Sequence, residues 1–434
     1  SNSFCTLLAT IVVTVWRNRS AAGREYVMVH AALRRCAAAG VMIALAALLW
    51  NASRKVAEFP DQASAASLQQ AQRVWGTWNF TARDACDVRS LSARLVSPRQ
   101  ARARIEDVTN QSIAAAEHQW LTKRIELEHH VRMVVADSGR NGAVHNSIGM
   151  WVHIVERNLT ILRHRGDRHG RFETIKRFFQ SLVRQGDPWP PVALYMSTED
   201  LPISWDLPYF TLFGRSRMRC FLVPDIFLGH GTGNQSWSEL IHSLGTQTDA
   251  TPFKSRESRL FFRGATTHPA RRQLQQTIDA CCKHFANVSL APFDPNRLVS
   301  VEKHALFKYL LAIRGKSASI RDKYLFFLGS VVLWYAPQPP HLHDEGPESP
   351  LFQFTHLLFE PFESFVPLFQ HKVSCTLQAL TSSIDAGETI GKNGAAILRE
   401  LSERDVATYM RGLIEGYRRV HGFPVAADPL EYLK

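Results

Sequence analysis

Cysteines are few in this 434-residue sequence, and none sits at a metal-binding spacing. Cys5, Cys36, Cys86, Cys220, Cys281, Cys282 and Cys375 form no Cys-x-x-Cys pair and no Cys/His cluster, so no structural zinc is expected. Cys281 and Cys282 are adjacent, and neighbours do not readily bridge, so any disulfide is expected to join distant residues. Short cofactor signatures are also missing. No Gly-x-x-x-x-Gly-Lys-Ser/Thr loop occurs, which excludes a Walker A phosphate cradle, and no Gly-x-Gly-x-x-Gly occurs to announce a dinucleotide. No basic run, zinc-finger spacing or RNA-recognition aromatic motif is present, so nucleic acid is not an expected partner. Acidic residues are the minority charge, 39 against 51 Lys+Arg for a net +12, which leaves a membrane face or an anionic small substrate as the reason for the excess.

What is present is globular material. The chain is 45% hydrophobic and 21% charged, with 25 Phe and 10 Trp to fill cores, and its length suits two ordinary domains with extra segments. Arg34 and Arg35 precede an uncharged run, CAAAGVMIALAALLW. With Asn51 and Ala52 it reaches about 17 residues, the lower end of what crosses a bilayer. Basic flanks stay cytosolic. The expectation is a cytosolic segment 1–35, a signal anchor at 36–52 and a luminal remainder; a cleaved signal peptide or a buried helix are the alternatives. Asn-x-Ser/Thr at Asn51, Asn79, Asn110, Asn158, Asn234 and Asn287 also fits a secretory compartment.

Residues 53–140 read as a stem with helical spacing at 65–75 and 113–135. Residues 150–162, MWVHIVERNLTIL, alternate as a strand pair, and 172–183 follow with a helical period. A strand-like VALYMSTED then ends at Asp200. In open α/β sheets ligands sit beyond the carboxyl ends of strands, so this acid is placed to meet substrate, a turn or cap carboxylate being the alternative. FLVPDIFLGHGTG ends in a glycine-rich loop holding His230, for which a structural role is the simpler reading. A polar stretch at 247–257 separates the halves.

The second half restarts with RLFFRGATTHPARR: strand, small-residue loop, basic helix start. Next comes KYLLAIRGKSASIRDKYLFFLGSVVLW, two apolar runs around a polar island with Gly315, Ser317, Ser319 and Arg321. Small residues, hydroxyls and arginines donate to phosphates; ordinary turns with solvated arginines are the competing reading for both loops. LFFLGSVVLW reads as a buried strand broken by Gly329-Ser330, and HLLFEPFESFVPLF as a further strand carrying Glu360. His341, His343, Asp344 and Glu345 lie in a proline-rich loop and are not expected to bind metal. Strands alternating with helices in both halves predict two Rossmann-like α/β domains.

FFRGATTHPARR, KYLLAIRGKSASIRDKYLFFLGSVVLW and FEPFESFVPL, in this order and spacing, resemble the C-terminal half of glycosyltransferase family 90, which includes Rumi-type protein O-glucosyltransferases and capsule-associated xylosyltransferases. The likeness covers about residues 151–398 and is strongest over 261–368; WPPVALYMSTEDLP and PDIFLGHGTG resemble first-domain segments of the family. It implies a GT-B fold with an acceptor-side domain at 141–250 and a donor-binding domain at 251–434 ending in C-terminal helices. It further implies a UDP-glucose or UDP-xylose donor, a protein serine or glycan acceptor, and inverting transfer without metal or other cofactor. The setting would be a single-pass type II protein of the Golgi or endoplasmic reticulum membrane. Carried over by position, Asp200 is the catalytic base. Arg263, Gly264, Thr267 and Arg271 of the first loop, with Gly315, Ser317, Ser319, Arg321 and Ser330 of the second, hold the donor, and Glu360 lies near the nucleoside. Glu199 stands where the family usually has Arg, Ala265-Thr266 replace a Ser-Arg pair, and HGTG lacks the usual Trp. A catalytically inactive UDP- or glycan-binding relative is therefore the alternative expectation.

Overall fold

A computed structural model describes residues 86, 94–120, 149–156, 158–163, 171–184, 188–198, 209–214, 220–225, 237–292, 299–315, 318–336 and 353–420. The segment 1–35, the expected anchor at 36–52 and the helical spacing at 65–75 lie outside them. Among the described residues no helix is long and apolar enough to cross a membrane.

The order is α1 (Pro98–Trp120), β1 (Gly149–Glu156), β2 (Asn158–Arg163), α2 (Arg171–Arg184), β3 (Trp189–Ser197), β4 (Tyr209–Thr211), β5 (Cys220–Leu222) and α3 (Trp237–Ala250), followed by β6 (Glu257–Ala265), α4 (Pro269–Cys281), β7 (Ala286–Ala291), α5 (Val301–His304), β8 (Phe307–Ala312), α6 (Asp322–Phe327), β9 (Val331–Ala336), β10 (Val366–Phe369), α7 (Val373–Ser382), α8 (Ile384–Glu400) and α9 (Glu403–Val420). Two five-stranded sheets result, ordered β2-β1-β3-β4-β5 and β10-β9-β8-β6-β7. The first opens with the antiparallel pair read from MWVHIVERNLTIL and continues in parallel from β3 to β5. The second is parallel throughout. A parallel sheet is covered on both faces, which is why β8 is buried at every position.

Two of the expected strands are something else. LFFLGSVVLW is the end of helix α6 and the start of β9, joined by Gly329 in the left-handed region at φ 63°. A short apolar run buried on all sides carries no period that separates strand from helix. HLLFEPFESFVPLF starts inside a 3-10 turn (Phe354–Leu358) and continues through a bend in which Phe362 has φ 60°, and only β10 is strand. The Ser364 hydroxyl bonds both the N–H and the carbonyl of Glu360 and so fixes that bend.

One apolar cluster runs from Val152 and Leu194 of the first sheet to Leu310 and Val332 of the second. A separate cluster fills the other face of the second sheet beneath α4 and α7. The last helix returns to the first sheet, where the Tyr417 hydroxyl donates to Ala193 O at 3.3 Å and Tyr409 to Leu222 O at 2.8 Å. Part of the region read as a stem is also built into the body. Asn393 of α8 donates to Arg94 O and accepts from Val96 N just before α1, which packs on α8 and α9.

Cys86 pairs with Cys375 across 289 residues. Cys281 and Cys282 are bonded to one another, against expectation: α4 ends at Cys281 and the chain turns out of the helix at Cys282, which brings the two sulfurs side by side.

Gly391 of α8 lies against the Gly329 turn, where an added Cβ would stand 2.4 Å from Gly329 O. Alanine is worth up to about 1 kcal/mol in a helix interior, but pushing on a backbone carbonyl costs about 1–3 kcal/mol. Gly391→Ala is therefore expected to lower the melting temperature by a few degrees in differential scanning calorimetry; an unchanged or raised value would reject this close approach.

Candidate functional site

The polar features converge at the carboxyl ends of β6 and β8. Side chains alternate along a strand. Phe262 therefore faces the cluster beneath α4, while Phe261 faces the opposite cluster. The chain leaves β6 through Thr266 and Thr267 and enters α4 at Pro269, with the His268 ring accepting from Ala270 N. Proline at this position is preset for helix entry.

Arg271, in the first turn of α4, is 9% exposed. It donates to Ala265 O at 2.8 Å, Arg314 O at 2.9 Å and Ile313 O at 3.2 Å, tying the loop after β6 to the loop after β8. Gly315 sits at this junction; a Cβ there would lie 3.1 Å from Thr267 Oγ1 and 3.3 Å from the Arg271 guanidinium. Arg321 reaches back to donate to Arg263 O at 2.7 Å. Both guanidiniums lie over the Phe262 ring, Arg321 at 4.8 Å and Arg271 at 5.3 Å from its centroid.

Of the residues expected to hold a donor, Gly264, Thr267, Arg271, Gly315 and Arg321 are thus brought together. Ser319 joins them through the chain, its carbonyl accepting from Asp322 N as α6 begins. Arg263 contributes its carbonyl, but its side chain goes to the other face of the sheet. There it donates to Asn287 O and to Asn287 Oδ1 at 2.6 Å and lies over Phe261. Ser330 is at the opposite, amino end of the sheet, donating to Phe307 O and accepting from Arg256, both at 2.7 Å. Glu360 lies in the bend that leads into β10. Asp200, Glu199, Ser317 and the loop with His230 lie outside the described residues, as do His341, His343, Asp344 and Glu345.

Beneath the arginines is a buried polar group whose members were not singled out in the sequence. Lys323 Nζ donates to Asp225 Oδ2 at 3.2 Å and to Ile320 O at 3.1 Å, and Asp225 Oδ1 accepts from the Thr355 N–H and hydroxyl. Lys323 and Asp225 are fully buried. Burial pulls the Lys323 ammonium down, and the Asp225 charge and hydrogen bond oppose it. Asp322 is also buried, and burial pushes its carboxyl up to about 7, although Ser319, Arg321, Arg271 and Lys323 pull the other way. His356 stands 3.7 Å from it. Burial, with the charge of Lys323, drops this imidazole to about 3, so it is neutral and the contact is not an ion pair. The signal was readable: Arg321-Asp322-Lys323 inside an apolar run demands buried partners.

Burial lowers Arg271 to about 10, with Arg321 adding like-charge repulsion, and both guanidiniums stay protonated at neutral pH. Asp322, half-neutral near pH 7, offsets them only in part. Among the described residues no carboxylate lies within ion-pair distance of either arginine; their hydrogen-bond partners there are main-chain carbonyls. Two fixed cations at the carboxyl ends of parallel strands and the start of a helix make a receptor for an anion.

The chain is similar to several known proteins. Protein O-glucosyltransferase 1 of Homo sapiens is 25% identical over 218 residues, 46% of this chain and 52% of that protein. O-glucosyltransferase rumi of Drosophila melanogaster is 25% identical over 297 residues, 61% of this chain and 68% of that protein. The O-glucosyltransferase rumi homolog of Aedes aegypti is 26% identical over 270 residues, 55% and 61% respectively. The chain thus spans about half to two thirds of these relatives' lengths. The profile of Glycosyl transferase family 90 matches residues 206–429, which takes in β6, β8, Arg271, Arg321 and the Lys323–Asp225 pair. With 224 of its 434 residues inside that match, the chain belongs to glycosyltransferase family 90.

Proposed function

We propose that the protein transfers glucose or xylose from a UDP-sugar to a hydroxyl of a protein serine or a glycan, with inversion and without a metal ion. The observation that carries this reading is the pair of main-chain-clamped guanidiniums of Arg271 and Arg321, beside Thr267 and Gly315, with an excess of positive charge. When the bond from the sugar to UDP breaks, negative charge grows on the distal phosphate, and preorganised donors aimed there stabilise it. Arginines and the amino end of α4 supply such donors without Lewis-acid help. Asp200 follows β3 closely in the chain and is assigned the general base that takes the acceptor proton as its oxygen attacks. Two Rossmann-like halves of a GT-B enzyme, divided near residue 250, would hold donor and acceptor across a cleft. The relatives' names favour glucose over xylose. A type II anchor at 36–52 would set the catalytic part in the Golgi or endoplasmic reticulum lumen.

A donor screen tests the reading. Purified protein incubated with UDP-glucose, UDP-xylose and other UDP-sugars should release UDP, fastest with a pentose or hexose that the enzyme also transfers. No UDP binding and no UDP release from any donor would overturn it. UDP binding without turnover across a broad acceptor panel would instead favour an inactive, ligand-binding relative.

A further inference from the structure

We infer that Phe262 is a positioning residue of the donor-phosphate site, the platform that holds the Arg271 and Arg321 guanidiniums beside one another. The inference rests on the reading of that site as the place where the diphosphate binds. Phe262 is 1% exposed, so its ring acts on a ligand through the side chains it carries. Two like charges repel, and Arg321 is one of the groups that weaken the protonated form of Arg271. The ring's electron-rich face counters this, since a guanidinium within about 6 Å of an aromatic centroid is attracted to it. Both arginines meet that criterion on the one ring, at 4.8 and 5.3 Å. The main-chain bonds complete the arrangement: Arg321 is clamped to the carbonyl of Arg263, the next residue, and Arg271 to that of Ala265.

Gly264 belongs to the same device. A Cβ at this position would stand 2.6 Å from two carbons of the Phe262 ring, so the ring lies where it does because residue 264 has no side chain. This gives Gly264 a role distinct from contact with the donor. Leucine at 262 would fill much of the volume and keep the apolar packing but offer no π face. Tyrosine would keep the face.

The experiment is isothermal titration of the full chain with UDP and, separately, inorganic pyrophosphate, together with thermal unfolding. Phe262→Leu is expected to bind both probes about 5- to 30-fold more weakly, with a raised donor KM and a smaller change in kcat. Phe262→Tyr keeps the π face but adds a buried hydroxyl at the crowded ring tip, and should bind more tightly than the leucine variant. Gly264→Ala, which displaces the ring without altering its chemistry and also brings a methyl to 3.2 Å from the Arg271 guanidinium, should weaken binding in the same direction, and it carries the test where the leucine variant fails to fold. Leucine and alanine variants that bind as tightly as the parent, or a tyrosine variant as weak as the leucine one, would overturn the role of Phe262 while leaving the donor site standing. A parent protein that binds neither probe would overturn the donor site and this inference together.

Discussion

Replacing Lys323 with methionine is expected to destabilise the protein by about 3–5 kcal/mol, the usual cost of removing one partner from a buried ion pair. Methionine matches the length of the stem, so little packing is lost; the loss comes from Asp225. Its carboxylate is fully buried and keeps only the weak contacts from Thr355, at 3.3 and 3.4 Å, once the ammonium is gone. The pair matters beyond its own energy because of where its members come from. Asp225 follows the last strand of the first sheet, Lys323 lies on α6, and Thr355 lies in the 3-10 turn after β9. One polar contact therefore links three segments inside a continuous apolar core. The double variant Asp225→Asn/Lys323→Met removes both charges and should recover at least half of the lost stability, since an amide still accepts from Thr355. Chemical denaturation of the two single variants and the double variant measures the coupling. A Lys323→Met loss under about 1 kcal/mol, or strictly additive losses, would show that the two groups do not depend on each other.

How much of this could be read from the sequence follows from the range of the interactions. Local patterns were legible. MWVHIVERNLTIL gives its antiparallel pair because alternation is a two-residue property, and RLFFRGATTHPARR gives β6, loop and α4 because strand, small residues and a proline-led helix start sit in succession. What failed is whatever depends on neighbours in space. Phe261 to Gly264 alternate, but both faces of β6 are buried, so nothing local says that Phe262 faces the arginines of the site while Arg263 turns to Asn287. Ser330 follows a glycine, as ligand-binding serines often do, yet a parallel strand entering at that residue puts it at the amino end of the sheet, where Arg256 and Phe307 O satisfy it. Arg271 was legible as a cation at a helix start; its three carbonyl partners were not, because two of them are 42 and 43 residues away. The vicinal disulfide is the reverse case, in which a general rule about neighbours was overridden by the turn that ends α4.

Arg321→Gln and Asp200→Asn are expected to separate donor binding from chemistry in the proposed reaction. Glutamine at 321 keeps a polar amide but loses the charge, the planar fork and the reach of the terminal nitrogen that donates to Arg263 O. Loss of a buried, charge-assisted contact costs about 2–5 kcal/mol, so UDP affinity should fall by at least about 30-fold. Arg271 cannot move to take over the lost contact, because its bonds to Ala265, Ile313 and Arg314 hold it in place. Arg321→Lys restores the charge without the fork and should bind with intermediate strength. Asparagine at 200 keeps size and polarity but cannot take a proton. Transfer should fall by about 100- to 10,000-fold, with the dissociation constant for UDP changed by no more than about twofold, because in the proposed reaction the carboxylate would serve the acceptor rather than the phosphates. Calorimetric titration with UDP and a transfer assay on both variants give four numbers that fix the division of labour. Unchanged UDP affinity in Arg321→Gln would remove that arginine from the donor site, and Asp200→Asn retaining more than about a tenth of the transfer rate would assign the base elsewhere.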